Sequence, residues 1–481
     1  MGETVIKFGT DGWRGVIAYD FTADRVKIVT RGVCEYLKHK IKTGSKTLKV
    51  VIGYDTRFLS EKFAEITASV FRRNNIEAYI SSNFVPTPIL SAGVLKNNAD
   101  LGIMITASHN PYYYNGYKVK GSYGGSATMD IISGIEESVN NQVKKYGSDF
   151  TSGDEILSSD DNIEKLDFVP EYSKQILNLV DTDAIRNFDF GLLIDPMYGA
   201  CQGIYRNILQ SLNPNEVIEI HGVINPLFND INPEPIGDNL RDAIYKLKEK
   251  KCKLAICLDG DGDRIAALGE EGNFISSHHI FAVILWYLLK YKQLKGKVVK
   301  TVTTSSIIDR ICSKYDLELL IKPVGFKYIG EEILAGGVMM GGEESGGLWV
   351  KGNIPERDGM FIGLVLLEVL CTTGKTINEI LDEIYKDFGF FVYRRLDYEM
   401  DFEKKEKVKE SLSKSVPQIL KNEGVKKIIT IDGYKYVMED GSWVMIRPSG
   451  TEAVVRIYAE TDSMEKLNKL HNLGKKAMDA C

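Results

Sequence analysis

Residues 253–264 read KLAICLDGDGDR. The run Leu254–Leu258 is apolar at every position and too short for a helix. Bounded by a glycine-rich turn, it reads as a strand buried on both faces, the pattern of a parallel sheet covered by helices. It opens directly into three aspartates separated by glycines, and ligands of open α/β sheets bind at the carboxyl ends of strands. The same pairing of apolar run and polar motif recurs. LGIMI (101–105) leads into TASHNP (106–111), and GGVMM (336–340) leads into GGEESGG (341–347). Upstream of each, across a helical stretch, stands a β-branched run ending in small or polar residues. These runs are TLKVVIGYDTR (47–57), FDFGLLIDPMYGA (188–200) and LKGKVVKTVTTSS (294–306). Alternating strands and helices predict three related mixed α/β units, each of domain size.

After about residue 388 the pattern changes. FVYRRLDYEM, KKIITIDGYKYVME, SWVMIRPSGTE and AVVRIYAE read as consecutive strands interspersed with two charged helices, which predicts an α+β domain with an antiparallel sheet. A chain of 481 residues is too long for one core. The expected boundaries are 1–160, 161–273, 274–388 and 389–481, with polar 141–165 as a linker or surface excursion.

A net charge of −6 argues against a nucleic-acid partner, since such proteins are usually basic. Any anionic ligand must then be held by local lysines, arginines and backbone N–H groups. The seven cysteines are scattered with no CxxC pair, as expected of reduced thiols. The N-terminus lacks a basic stretch followed by an apolar run. The longest apolar stretch, Ile280–Leu289, is about half a membrane span. The expectation is a cytoplasmic enzyme with no membrane partner.

Asp259, Asp261 and Asp263 repel one another unless a cation sits among them, and the glycines let their oxygens converge. Together with Glu270 they match an EF-hand at its first, third, fifth and last ligand positions. However, Arg264 stands where that loop requires glycine, and a strand rather than a helix precedes it. Three protein oxygens leave room for water and phosphate, which suits Mg²⁺, and Arg264 can neutralise a nearby phosphoryl group. In TASHNP, Ser108 beside His109 is either a nucleophile or a turn serine; the hydrolase elbow G-x-S-x-G is absent. Lys118, ten residues on, adds a cation. Glu343 and Ser345 could grip two vicinal sugar hydroxyls, or the glycine-rich turn could be structural. Lys327 stands in the upstream loop PVGFKYIG (323–330). RPSGTE (447–452) offers Arg447, Ser449, Gly450 and Thr451 as an anion-binding concavity, with Arg456 in the next strand. FGTDGWRG (8–15) supplies Thr10 and Arg14. His278 and His279 read as a helix start with one buried histidine, and GSYGGSAT (121–128) as a mobile loop.

With all these motifs in order over nearly the full length, the chain resembles the α-D-phosphohexomutase superfamily, the phosphoglucomutases and phosphomannomutases. The resemblance implies three α/β domains and a C-terminal α+β domain of TATA-binding-protein-like type around a central cleft. It implies that Ser108 carries and regains phosphate, and that Asp259, Asp261, Asp263 and a Ser108 phosphate oxygen hold Mg²⁺. Arg14 and Lys118 then flank the transferring group, with Lys118 as proton shuttle. Glu343 and Ser345 grip the sugar, while Arg447, Ser449, Gly450 and Thr451 anchor the non-reacting phosphate. Thr10, His109, Arg264, Lys327 and Arg456 complete the substrate contacts. The activity implied interconverts hexose 1- and 6-phosphates through a hexose 1,6-bisphosphate that reorients in place. Gly347 replaces the histidine often found beyond the sugar-loop serine of bifunctional mannose/glucose members, and Lys327 replaces another. Both departures favour glucose over mannose, and DGDGDR departs from the alanine-containing metal loop typical of the glucosamine branch. A monomer or homodimer is expected.

Overall fold

The computed structural model describes residues 5–9, 11–40, 47–146, 163–186, 188–213, 217–450 and 452–481. These form four sheets. The first runs, across the strands, Trp13–Val16, Tyr114–Gly121, Leu101–Ile105, Lys49–Tyr54, Glu77–Ser81 and Lys165–Leu166. The second runs Phe274–Ile275, Ile265–Gly269, Leu254–Leu258, Leu192–Asp195 and Val217–Glu219. The third runs Leu319–Lys322, Lys297–Thr301, Val338–Gly342 and Leu348–Val350. In each, the strand that delivers a motif lies between a parallel neighbour, the upstream β-branched run, and an antiparallel strand that returns from the motif. All the residues of Leu101–Ile105, Leu254–Leu258 and Val338–Gly342 are buried, which is why their sequences lack a polar face.

One apolar cluster extends from Val51 through Ile284 to Phe391 and links the three α/β units, while the other face of the first sheet has a core of its own around Val50, Ile52, Ile103 and Ile105. The fourth sheet is antiparallel throughout, in the order Val392–Glu399, Val454–Thr461, Trp443–Pro448, Tyr434–Met438 and Val425–Ile429. Its strand Val425–Ile429 and its strand Tyr434–Met438 were expected as one, KKIITIDGYKYVME. The chain instead turns at Asp432-Gly433, where Gly433 takes φ +98°, as Asp-Gly turns favour. Val444, Ile446, Val455, Ile457 and Ala459 pack under the helices Phe402–Lys414 and Met464–Asp479. The alternate residues Trp443, Met445 and Tyr458 form the opposite face with Val302 of the third unit. There Glu460 accepts the Ser306 N–H at 3.0 Å, and Trp443 Nε1 donates to Ser306 Oγ at 2.9 Å.

Two other expectations change. The helix Met129–Tyr146 runs well into the segment expected as a linker, whose residues 147–162 lie outside the described residues. The loop 121–128 is packed rather than loose: a Cβ on Gly125 would overlap the Pro355 carbonyl, and Tyr123 Oη donates to the Ser126 carbonyl at 2.8 Å. His278 is buried at the start of the helix Ser277–Lys290, which Ser276 caps. Among the described residues no single helix is long and apolar enough to cross a membrane.

Candidate active site

The four motifs occupy equivalent places, each joining two antiparallel neighbouring strands. In the first unit the loop from Leu101–Ile105 to Tyr114–Gly121 carries Ser108, 1% exposed with φ +55°. That left-handed backbone costs a non-glycine residue about 1–3 kcal/mol, so the surroundings must hold it. Arg57 does so. Its guanidinium donates to the carbonyls of Ser108 (2.6 Å), Asn110 (2.6 Å), Pro111 (2.8 Å) and Tyr114 (3.1 Å), and its Nε lies 3.2 Å from Asp55. Thr106 Oγ1 donates to Asp55 at 2.5 Å and accepts the Ser108 N–H at 2.9 Å.

The metal-type loop of the second unit meets this serine directly. Ser108 Oγ donates to Asp259 Oδ2 at 2.9 Å, and a Cβ on Gly260 would overlap the Ser108 carbonyl oxygen, so that glycine is required by close approach. Asp259, Asp261 and Asp263 are fully buried, and one oxygen from each lies within 4.8 Å of the others. Asp261 Oδ1 and Asp263 Oδ1 are buried without a hydrogen-bond partner. Three converging carboxylates with two orphaned oxygens fit a hard divalent cation. Without that charge, burial, reinforced by Asp263 and Asp261, pushes the Asp259 carboxyl well above the usual range. Burial would also raise Asp261, yet the Lys118 ammonium overrides it and holds that carboxyl low.

Lys118 is 1% exposed on the strand Tyr114–Gly121, and its Nζ lies 2.7 Å from Asp261, 3.1 Å from Asp263 and 2.9 Å from Asp11. Burial opposes its charge, but Asp11, Asp261 and Asp263 outweigh burial and raise its pKa. Arg14 donates to the Asn110 side chain. His109 Nδ1 lies 3.4 Å from Ser108 Oγ, and burial, followed by the charge of Arg264, holds the imidazole well below its ordinary pKa. Arg264 borders the loop, with its N–H on Asp259 Oδ1 at 3.0 Å. Thr10 lies outside the described residues.

The third unit brings Glu343 to the same place. Its carboxylate accepts the Gly325 N–H at 3.1 Å and lies 3.5 Å from Arg357. Burial pushes its pKa to about 7 against the pull of Arg357. Ser345 stands two residues on, and the next residue ties the loop to the metal loop, because the Ile265 N–H donates to the Gly346 carbonyl at 3.1 Å. Lys327 lies in the neighbouring loop, 8% exposed; burial lowers its pKa while Glu331 and Asp11 oppose that shift.

The C-terminal loop is shielded by acids. Arg447 Nε donates to Asp432 at 3.0 Å, while Arg456 is held by Asp397 at 3.2 Å and by Glu452. Ser449 Oγ accepts the Glu452 N–H at 3.2 Å, and Gly450 is exposed with open space about it. Thr451 lies outside the described residues. Arg447 and Arg456 pair across adjacent strands, so their side chains share the face turned toward the third unit.

Sequence reading missed four residues here. Arg357 joins Asp11 (2.7 Å), Asp263 (2.6 Å) and Glu343 (3.5 Å), linking three units through one guanidinium. Asp11 bridges Lys118, Lys120 and Arg357. Arg57 clamps the serine loop, and Arg395 lies 3.7 Å from Glu344 and lowers His109. Asp11 stood inside a motif already singled out, and Arg57 ended one of the repeated runs. Arg357 stands between two acids in PERDG and Arg395 beside Arg394 in VYRRLD, so neither had a local signal that set it apart from an ordinary surface charge.

Comparison with known proteins agrees with the four-unit fold. Four models of one family match in order: phosphoglucomutase/phosphomannomutase alpha/beta/alpha domain I at residues 5–145, domain II at 170–272, domain III at 276–388 and the C-terminal domain at 401–472. A phosphoglucomutase/phosphomannomutase of Thermococcus kodakarensis is 28% identical over 98% of both chains. A probable phosphoglucosamine mutase of Methanosphaera stadtmanae is 30% identical, also over 98% of both. The crystal structure of a putative phosphomannomutase from Thermus thermophilus superposes with a TM-score of 0.85 at 30% identity, covering 99% of this chain and all of that one. The chain belongs to the phosphoglucomutase/phosphomannomutase family of the α-D-phosphohexomutases, and is an intramolecular phosphotransferase.

Proposed function

We propose that this phosphohexomutase prefers glucose phosphates and works through a phosphoserine at Ser108. The observation that carries the reading is the 2.9 Å contact between Ser108 Oγ and Asp259 of the metal-type loop. Asp259, Asp261 and Asp263 would hold Mg²⁺, which when bound neutralises charge on the transferring phosphoryl group. The rest falls to the chain's own residues, since a loose phosphoryl-transfer transition state needs charge and in-line placement more than covalent assistance.

Phospho-Ser108 gives its phosphoryl group to a hydroxyl of the bound hexose monophosphate. The Ser108 O–P bond breaks as the new hexose O–P bond forms. Lys118 gives its proton to the departing Ser108 oxygen and regains one from the attacking hydroxyl, so no proton is gained or lost. The product is a hexose 1,6-bisphosphate, which turns end for end and returns its other phosphate to Ser108. Arg14 and Arg264 neutralise the transferring group, with His109 beside it. Glu343 and Ser345 grip sugar hydroxyls in both orientations, with Lys327 nearby. Arg447, Ser449, Gly450, Thr451 and Arg456 anchor the distal phosphate, with Thr10 in the N-terminal loop, and an arriving phosphate displaces Asp432, Asp397 and Glu452 from the arginines.

The preference for glucose is supported at the sugar loop. A side chain at Gly347 would overlap Arg357 Cδ, so Arg357 and its ion pairs fill the space a histidine there would need. Turnover measured on glucose 1-, mannose 1- and glucosamine 1-phosphates tests this: the highest kcat/KM is expected on glucose 1-phosphate, and a higher value on either rival overturns the preference. Ser108→Ala should abolish turnover and leave hexose-phosphate binding measurable by calorimetry. Chelation should stop turnover and added Mg²⁺ should restore it.

A further inference from the structure

Two loops of the second unit gather backbone strain without contributing any residue to the reaction. Met197 (φ +48°), Tyr198 (+59°), His221 (+51°), Phe228 (+49°), Asn229 (+54°) and Asp230 (+58°) all take left-handed angles. Strain of this kind persists only where the surroundings over-determine the backbone, and here the surroundings lead to the reacting loops. Thr56 Oγ1, beside Arg57, donates to the Tyr198 carbonyl at 2.8 Å. Phe228 is 1% exposed, with the Arg57 guanidinium 5.0 Å from its ring centroid. The Ala200 N–H donates to the Gly260 carbonyl at 2.9 Å, and the Gly260 N–H donates to the Pro233 carbonyl at 3.1 Å. The two loops are locked to each other at His221. Its ring lies 4.5 Å from that of Tyr198 at a tilt of 32°, its Nδ1 lies 2.9 Å from Asp195 and its Nε2 lies 3.4 Å from Asp242. Tyr198, His221, Phe228 and Pro233 line one small cavity.

We propose that the segment His221–Asn239 is a positioning strut for phosphoryl transfer, with Phe228 and His221 as its positioning residues. At one end Phe228 backs the guanidinium that clamps the carbonyls of the Ser108 loop. At the other, Pro233 receives the amide of the metal-type loop. One rigid piece of chain therefore sets the separation between Ser108 Oγ and the three aspartates, although it touches neither phosphate nor sugar. The strain at residues 228–230 fixes the direction in which Phe228 enters, and the His221–Asp195 pair keeps the segment from relaxing. In-line transfer is sensitive to such placement.

The inference rests on the mutase reading, and full-length enzyme with Mg²⁺ and a hexose 1-phosphate tests it. Phe228→Leu keeps an apolar side chain but loses the ring beneath Arg57, and His221→Asn loses the pairing with Asp195 and Asp242. We expect kcat to fall at least about tenfold for Phe228→Leu and about threefold or more for His221→Asn, because misplacement of the reacting groups is costly. KM should stay near the wild-type value, since no substrate contact is removed. A purely structural role would instead lower the yield of folded enzyme and leave kcat per folded molecule unchanged, and that result overturns the proposal. If Phe228→Leu does not fold, His221→Asn, a smaller change at a side chain that is 13% exposed, decides alone. A wild-type enzyme without mutase turnover removes the mutase reading and this inference with it, whereas an active wild type with unaltered kcat in both variants removes the inference only.

Discussion

Ser108 is held in a conformation that L residues seldom adopt, and Arg57 is the residue that holds it. Its fork serves four carbonyls of one loop at once, which a lysine cannot do. Arg57→Lys is therefore expected to lower kcat by about a hundredfold with little change in KM; an unchanged kcat in steady-state assays would contradict this. Asp261→Asn should cut rate far more than hexose-phosphate affinity, because the cation its carboxylate would hold acts mainly on the transition state. Equal losses would count against it. At this scale the sequence showed the residues that stand inside dense motifs, namely Ser108, the three aspartates, Lys118 and Glu343. Arg357 could not be read out because its meaning lies in partners 346 positions away at Asp11 and in Asp263 and Glu343, and nothing local marks such a convergence.

The recurring element is a buried parallel strand, a short polar loop and an antiparallel return. A continuous apolar run announces the strand, and the glycines announce the loop, so the repeat is legible in the sequence. The return strands were less so, since Ile265–Gly269 and Leu348–Val350 are short and wholly buried and read equally as helix interior. The Asp432-Gly433 turn was missed although its dipeptide is a strong hairpin signal, because apolar residues on both sides suggested one long strand. The N-terminal loop tests how closely these elements approach. Gly12 takes φ +95°, and a Cβ there would overlap the Tyr117 carbonyl oxygen. Gly12→Ala should destabilise the protein by about 2 kcal/mol or more, read from urea unfolding; a loss within error would mean that the loop can move away from the strand Tyr114–Gly121.

In the whole molecule, one cluster links the three α/β units, the first of which also has a core of its own, while the C-terminal sheet has a separate core and meets the third unit on a smaller face. Lys435 lies in that face, its Nζ 2.9 Å from the Val302 carbonyl and 3.5 Å from the Trp443 ring centroid. Burial, reinforced by the charge of Lys300, lowers its pKa from 10.5 to about 7. Between those values the folded protein binds fewer protons there than the unfolded chain, so this group's contribution to stability rises with pH across that window and is constant below it. The stability of wild type relative to Lys435→Met should therefore increase from about pH 7 toward pH 10.5, measured by paired urea titrations; a flat difference would show that Lys435 is not desolvated. In the cycle proposed above, such a docking face would let the C-terminal loop close over a substrate that turns between two transfers, and every step would return to one stored phosphoryl group. The most direct measurement is peptide-resolved mass spectrometry of the Mg²⁺-loaded enzyme after brief exposure to isotopically labelled hexose 1,6-bisphosphate. The account predicts labelled phosphate on Ser108 that is lost again on adding unlabelled hexose monophosphate; a fully active enzyme with Ser108 never labelled would contradict it.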